Sequence, residues 1–375
     1  MADLENFNSV AKIKVIGVGG GGNNSIQSIL DTKIDGLEFI VANTDKQILD
    51  KFDKSLTLQL GDKRGIGAGA NPEVGKSAAE HSAQEIKEKI KNANLVVITA
   101  GMGGGTGTGA APVIAKLAKE QNSLVIAIVT TPFSFEGTKR NQIALKGIEE
   151  LKKYVDSYII ISNDKLKDKF GEISFKDAFK VADNIVKQFI RTVVDIIAVP
   201  GLINLDLADL ETLIKNCGET IVGIGNANGE NAAKQAMHRA INSPIIDSNI
   251  KGVTKAIVYF SSSKNSTIND FQEAINELKS VAGENVDVIF GVGSPASEEA
   301  EKLGEIYVSV IATGIKKAEN ENDFKLTEEK VTQKRYNEDD TQEYLTLSNY
   351  SSSKNKSYLN ENDLGDDEND DLLYK

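Results

Sequence analysis

The stretch with the clearest chemical capacity is residues 103–109, which read Gly-Gly-Gly-Thr-Gly-Thr-Gly. It follows an apolar run at 95–99 that predicts a buried strand, and it precedes an Ala-rich segment at 110–119 that predicts a helix. Glycines allow backbone N–H groups to crowd together without Cβ atoms that would hold an anion away, and the helix start adds partial positive charge. Thr106 and Thr108 can each donate a hydroxyl to a phosphate oxygen. The pattern predicts a polyphosphate site.

A second glycine run, residues 19–22, follows a predicted strand at 12–18 and leads into a helix predicted to begin at Asn23 or Asn24. With Glu38 about 20 residues further on, it also fits the G-x-G-x-x-G pattern of dinucleotide folds, and so a nicotinamide-dependent oxidoreductase. A dehydrogenase would not need a second, longer glycine cradle, so we favour phosphate binding of another kind.

A relaxed phosphate-loop pattern at residues 70–77 is misleading, because its physics does not suit an anion. Pro72 has no N–H to donate, and Glu73 would repel phosphate. Asn71, Pro72 and Glu73 instead predict a helix start, with a cap, a proline in the first turn and an acid near the positive end. We expect that helix to run through residue 91.

The order of predicted elements indicates an α/β fold. Apolar strands alternate with helices up to residue 161, which calls for a parallel sheet covered by helices. A long helix over 174–198 has apolar residues around much of its circumference, so we expect it to be buried between two bodies. A second, smaller set of helices and strands follows. The predicted domains are a flexible N-terminus at 1–11, a nucleotide-binding domain at 12–173, a central connecting helix at 174–200, a C-terminal α/β domain at 201–315 and a disordered acidic tail at 316–375.

Composition excludes several classes of protein. The 375 residues carry a net charge of −12, which argues against a nucleic-acid binder, and no apolar run is long enough to insert directly into a membrane. The single cysteine, Cys217, fits a reducing cytoplasm. His81 and His238 lie on separate predicted helices, so no protein metal ligands are predicted. The tail holds 9 basic and 16 acidic residues, a net charge of −7, and is expected to be disordered.

The motifs together resemble the tubulin/FtsZ family, and its bacterial FtsZ branch in particular. The resemblance extends from about residue 12 to about residue 315 and rests on five stretches. They are residues 13–22, 67–75, 103–109, 133–140 and 204–209.

The resemblance implies a GTPase that polymerises head to tail into the bacterial division ring, with GTP or GDP and a nucleotide-bound Mg²⁺ as cofactors. In this reading Glu136 and Arg140 face the ribose and a neighbouring phosphate, Asp183 reads the guanine base, and Phe179 stacks on it. The implied nucleotide-binding residues are Gly20, Gly21, Gly22, Asn23, Asn24, Gly105, Thr106, Gly107, Glu136, Arg140, Phe179 and Asp183. The implied neighbours of the γ-phosphate and its magnesium are Asn43, Asp45, Ala70 and Asn71.

The resemblance also implies a catalytic loop at Asn204, Asp206 and Asp209, which would enter the nucleotide pocket of the next subunit and orient the attacking water. Asp206 and Asp209 are three residues apart at a predicted helix start, so a capping role alone is the simpler alternative. The implied partner is the chain itself, in the cytoplasm at the division site. The terminal residues 370–375 lack the proline of the usual motif that docks membrane-anchoring division proteins. A GTP-binding filament regulator without useful hydrolysis is the remaining rival.

Overall fold

The computed structural model describes residues 11–30, 37–62, 64–170, 175–198, 201–203, 205–242, 250–262, 266–293 and 298–314. The predictions for Asn204, for residues 1–10 and for the tail from 316 onward fall outside these ranges. No helix in the described ranges combines the length and apolar character needed to cross a bilayer.

The first half of the chain alternates strands and helices, as predicted. Its strands are β1 (Ile13–Val18), β2 (Leu37–Asn43), β3 (Thr57–Gln59), β4 (Leu95–Gly101), β5 (Leu124–Thr131) and β6 (Ser157–Ser162). Its helices are α1 (Gly19–Gln27), α2 (Lys46–Leu49), α3 (Pro72–His81), α4 (Ala83–Lys89), α5 (Thr106–Glu120), α6 (Thr138–Leu151) and α7 (Asn163–Phe170).

These six strands pair in parallel in the order β3-β2-β1-β4-β5-β6. The order reverses between β1 and β4, so the loops that follow these two strands diverge and leave a crevice at the carboxyl edge of the sheet. Both predicted glycine loops follow these two strands. The topology therefore brings the two phosphate-binding candidates together.

The second half begins with the long helix α8 (Phe175–Ala198) and continues into a smaller, mixed sheet. Its strands are β7 (Gly201–Ile203), β8 (Gly218–Ala227), β9 (Lys255–Ser261), β10 (Asp287–Gly293) and β11 (Ile306–Thr313). Its helices are α9 (Leu207–Ile214), α10 (Ala232–Ile241), α11 (Ile268–Ala282) and α12 (Glu298–Leu303). The strand order is β8-β11-β9-β10-β7, and β8 also pairs with β6 over two residues, which connects the two sheets.

Helix α8 is buried between the two halves, as its apolar pattern predicts. Pairs of buried residues such as Val181 and Ala182, or Ile185 and Val186, alternate with half-buried pairs along it. These side chains belong to a core cluster that also contains Val97 of β4 and Ile257 of β9. The helix therefore fixes one half of the molecule against the other.

Two predicted helices differ from the structure, and several short elements were not predicted. Helix α1 begins at Gly19 rather than at Asn23 or Asn24, because the glycines pack closely in its first turn. The helix predicted over 71–91 is two helices that break at Ser82, whose hydroxyl accepts a hydrogen bond from the Gly61 N–H. The α7 helix and the short β3 and β7 strands carried too little apolar periodicity to be predicted.

Candidate functional site

A cleft of about 500 Å³ lies at the carboxyl edge of the parallel sheet, where the strand order reverses. Nearly all of the predicted nucleotide-binding residues line it, although they come from four separate parts of the chain. Those lining residues are Gly20, Gly21, Asn24, Gly105, Thr106, Gly107, Glu136, Arg140, Phe179 and Asp183.

The first glycine loop packs so tightly that side chains are excluded from it. A Cβ on Gly21 would lie 3.0 Å from the Gly101 Cα, and a Cβ on Gly22 would collide with the Thr99 carbonyl oxygen. A Cβ on Gly20 would meet no protein atom within 4 Å, because this residue faces the cleft. The loop therefore presents bare backbone to the cleft at the start of α1, which suits an anion.

The second glycine loop ends at the start of α5, where Gly105, Thr106 and Gly107 face the cleft. The Thr106 hydroxyl lies 2.6 Å from the Thr44 hydroxyl. Thr108 does not serve as predicted: it is buried, and its hydroxyl accepts a hydrogen bond of 2.9 Å from the Gly103 N–H. Thr108 thus braces the loop from behind instead of donating to a phosphate.

Two predicted binding residues, Gly22 and Asn23, do not line the cleft. The Asn23 side chain is fully buried and donates to the carbonyl oxygens of Gly17 (2.7 Å) and Ala42 (3.3 Å). It also accepts a bond of 2.6 Å from the Asn43 side chain. Since α1 starts at Gly19, Asn23 falls inside the helix and faces the sheet, where it ties the ends of β1 and β2 together.

The end of β2 and the residues that follow it contribute oxygen atoms to the cleft. Asn43 and Asp45 line it, whereas Ala70 and Asn71, also predicted near the γ-phosphate, do not. Asn71 instead caps α3, as its sequence pattern predicts. No group of three or more His, Cys, Asp or Glu in the described ranges is arranged to hold a metal. The oxygens of Asn43 and Asp45 suit Mg²⁺, which would have to take most of its ligands from phosphate and water.

The opposite wall of the cleft carries an ion pair and a cluster of aromatic rings. Arg140 Nη1 lies 2.9 Å from Glu136 Oε2, and Glu136 Oε1 accepts a 2.9 Å bond from the Phe133 N–H. Phe179 stands edge-on to Phe133 with ring centroids 5.3 Å apart, and it is 38% exposed. Phe179 therefore presents apolar surface to the cleft, on which a planar base can stack.

Asp183 lies one helical turn beyond Phe179 and faces the same cleft. Burial raises the pKa of its carboxyl to about 6, and a hydrogen bond of 3.0 Å from the Ser25 hydroxyl opposes that rise. The carboxylate can accept both the N1–H and the exocyclic amine of guanine, a pair of donors that adenine does not present on that edge. The sequence did not reveal Ser25, because its partner is 158 positions away.

Asn163 is a site residue that the sequence analysis missed. It follows β6, lines the cleft and is almost fully buried, yet its Oδ1 has no hydrogen-bond partner among the described residues. A buried acceptor without a partner is costly, so a donor from a bound ligand is expected there. Its place at the carboxyl end of a parallel strand was the only available signal.

The predicted catalytic acids lie elsewhere, at the start of α9. Asp206 Oδ1 accepts from the Asp209 N–H at 2.8 Å, and Asp209 Oδ2 accepts from the Asp206 N–H at 3.0 Å. This reciprocal pair is a capping box, so the capping role is present. Asp206 is exposed and Asp209 half-buried, and neither lines the cleft of its own chain.

The acidic residue that the dinucleotide-binding alternative requires does not lie in the cleft. Glu38 lies near the start of β2, at the amino edge of the sheet, and its carboxylate pairs with Lys14 at 3.0 Å. The cleft lies at the opposite, carboxyl edge. Glu38 therefore cannot bind a ribose in the cleft.

Comparisons with known proteins agree with this class of site, a nucleotide cleft in a doubly wound domain joined to a second α/β domain. The Tubulin/FtsZ family GTPase domain matches residues 12–171, and the FtsZ family C-terminal domain matches residues 218–316. The cell division protein FtsZ of Mycoplasmopsis pulmonis (strain UAB CTIP) is 51% identical over 330 residues, which cover 87% of this chain and 83% of that protein.

Solved structures give the same result. An empty FtsZ dimer from M. jannaschii has a TM-score of 0.74 and 37% identity, over 82% of this chain and 89% of that one. A GTPgS-bound protofilament of CetZ2 from Haloferax volcanii shares the fold, with a TM-score of 0.69 at 17% identity over 92% and 99% of the two chains. The chain therefore belongs to the FtsZ family of tubulin-like GTPases. Membership implies GTP binding and hydrolysis and a part in cell division.

Proposed function

We propose that this chain hydrolyses GTP only when its copies assemble head to tail, because each cleft is completed by Asn204, Asp206 and Asp209 of the next copy. The filaments would form the division ring, in the cytoplasm at the division site. The observation that carries the proposal is the separation, within one chain, of a cleft equipped to bind a nucleotide from the acids that would orient the attacking water.

The separation follows from the sheet. Strand β7, just before the acid-bearing loop, lies at the far edge, seven strands away from β4. At about 4.8 Å per strand, this corresponds to roughly 30 Å. Such a distance is too great for side chains of one copy to act on a phosphate in its own cleft.

Exposed apolar side chains occur at both places. Ile66 lines the cleft and is 79% exposed, and Phe135 lies exposed beside Glu136. Near the acids, Leu202 is 88% and Ile268 85% exposed. Both adjoin an apolar groove of about 710 Å³ between β7, β10 and α11. Two different apolar surfaces on one molecule favour a heterologous contact, which propagates as a filament unless it closes into a ring.

Relatives support self-association. The M. jannaschii FtsZ structure is described as a dimer, and the CetZ2 structure as a protofilament. The proposed partner of this chain is accordingly another copy of itself. Tethering through residues 370–375 is not part of the proposal.

The residues of the cleft and the acids have complementary tasks. The backbone N–H groups of the two glycine loops and the Thr106 hydroxyl would stabilise charge on the transferred phosphoryl group. Asp206 or Asp209 would orient the water whose oxygen attacks the γ-phosphorus, as the bond to the bridging oxygen breaks and GDP leaves. A bound Mg²⁺, near Asn43 and Asp45, would neutralise phosphate charge.

Mixing two inactive variants tests the shared site. Asp209→Ala keeps an intact cleft but lacks an acid. Gly104→Val keeps the acids but fills the cleft, since a Cβ at Gly104 meets no protein atom within 4 Å. Each variant alone should release almost no phosphate. The mixture should regain up to about a quarter of wild-type turnover, because some Asp209→Ala clefts meet Gly104→Val acids. A mixture as inactive as its components, despite co-assembly in a pelleting assay, would contradict the proposal.

A further inference from the structure

Ser25 lies on α1, one helical turn beyond Gly21, on the face of that helix that lines the cleft. We propose that Ser25 is a positioning residue for guanine recognition: its hydroxyl holds the Asp183 carboxylate and joins the phosphate-binding helix to the base-reading helix. This inference rests on the proposed function, in which GTP occupies the cleft with its base against Asp183.

The geometry supports a specific contact. Ser25 Oγ lies 3.0 Å from Asp183 Oδ1, and Ser25 is buried, so water does not compete for the hydroxyl. The same Oγ lies 3.3 Å from the Gly21 carbonyl oxygen. Helices α1 and α8 are far apart in sequence, and this bond links them directly at the wall of the cleft.

Ser25 can form a hydrogen bond with Asp183 in both charge states of that residue, because the Gly21 carbonyl oxygen is a second acceptor for the Ser25 hydroxyl. When the carboxyl is ionised, the Ser25 hydroxyl donates to it. When the carboxyl is protonated, it can donate to Ser25 Oγ, whose own hydrogen then points to the Gly21 carbonyl oxygen. Only the ionised form can accept two N–H donors from guanine, and the Ser25 bond favours that form.

No charged group is among the causes of the Asp183 pKa shift. Burial and the Ser25 hydroxyl are the causes of the altered Asp183 pKa, and they act in opposite directions. Helix α1 carries no ionisable side chain. Among the side chains that the structure describes, the ionisable groups on the cleft walls, on the adjacent α7 helix and on α8 are Asp45, Glu136, Arg140, Asp164, Lys165, Lys180 and Lys187.

The test compares Ser25→Ala with a matched control, Ser28→Ala. Ser28 is the C-cap residue of the same helix, donates its hydroxyl to the Ser25 carbonyl oxygen and does not line the cleft. GDP and pyrophosphate binding to the nucleotide-free proteins is measured from pH 5 to pH 8. Comparison with wild type at each pH cancels the titration of the phosphates themselves.

For Ser25→Ala we expect GDP binding to weaken about tenfold near pH 6, the size of one hydrogen bond to a charged group, and the loss to shrink by pH 8. Pyrophosphate, which has no base, should bind within about twofold of wild type. Ser28→Ala should match wild type throughout. In an Asp183→Asn background the Ser25→Ala loss should no longer depend on pH, because the amide accepts the Ser25 hydroxyl but does not titrate.

An equal loss at every pH, an equal loss for pyrophosphate, or no loss at all would overturn the role of Ser25 and leave the proposed function intact. A wild-type protein that binds GDP no more tightly than ADP would overturn both. The two failures are therefore distinguishable.

Discussion

The cleft and the acid-bearing start of α9 are built in opposite ways. Around the cleft, several buried polar groups are already paired, as Asn23, Thr108 and Ser25 show. At the start of α9, Asp206 and Asp209 bond only to each other's backbone in the described ranges, at the surface. The cleft is preorganised for a ligand, whereas the acids at the start of α9 can act only on a ligand that another molecule brings to them.

Nucleotide binding and hydrolysis should therefore be separable in this protein. Changes in the cleft should alter nucleotide affinity in a single molecule. Changes at the acids, or in the apolar surface beside them, should alter turnover while leaving affinity nearly intact.

The largest effect is expected from Asp209→Ala, with turnover at least about 100-fold lower and GDP affinity within about twofold of wild type. This variant also breaks the capping box, which costs about 1 kcal/mol of stability. Asp209→Asn is the matched control, because its amide oxygen keeps the cap while the charge is lost. Phosphate release, GDP binding and thermal unfolding separate the two roles. Full activity in Asp209→Asn would show that the carboxylate charge is not needed.

A negative charge in the apolar surface beside the acids should weaken assembly. Ile268→Glu removes the burial of one large side chain from the contact, about 2–3 kcal/mol, so the threshold concentration for assembly should rise roughly 50-fold. Folding should be unaffected because Ile268 is 85% exposed. Leu145→Glu, on an exposed part of α6, is the control and should assemble normally. Equal light-scattering thresholds in the two variants would place the contact elsewhere.

The neighbouring asparagines of α1 should behave differently. Asn23→Ala leaves the Asn43 amide and two carbonyl oxygens without their partner, so the free energy of unfolding should fall by about 2 kcal/mol. Asn24→Ala should leave stability within about 0.5 kcal/mol and weaken GDP binding, because Asn24 lines the cleft. Denaturant unfolding and GDP titration measure both quantities. The reverse pattern would mean that the helix start is wrongly placed.

An effect of similar size concerns pH. The folded-state pKa of Asp183 is about 6, above the ordinary value of 3.8, so the folded protein binds a proton between these values that the unfolded chain lacks. The contribution of this group to stability is therefore greatest at low pH and is lost as pH rises through about 6. Relative to wild type, Asp183→Asn should gain on the order of 2 kcal/mol between pH 4 and pH 7 without nucleotide. A constant difference across that range would show that Asp183 is not buried as described.

Local sequence patterns predicted most of the fold. Apolar strands, the Asn71-Pro72-Glu73 helix start and the glycine runs are signals carried by neighbouring residues, and the structure confirms the elements that they indicate. The break at Ser82 was not predicted; Ser82 bonds there to Gly61, 21 residues away in the sequence.

The site residues, too, could be predicted where neighbouring residues mark them and not where distant residues do. The glycine loops could be predicted from their own residue types, and the family resemblance assigned Glu136, Arg140 and Asp183 to the site. Asn163 and Ser25 were missed, since their importance depends on which residues the fold brings near them. Asn23, which the resemblance assigned to the nucleotide, does not line the cleft, because its side chain bonds to the backbone of β1 and β2 instead.

The most direct test of the shared site is GTP turnover per molecule, measured at saturating GTP across a wide range of protein concentration. The shared site predicts almost no turnover below a threshold and a steep rise to a plateau above it, at the concentration where light scattering appears. A turnover per molecule that stays the same at every concentration would contradict the shared site, because a lone copy would then hold everything that hydrolysis needs.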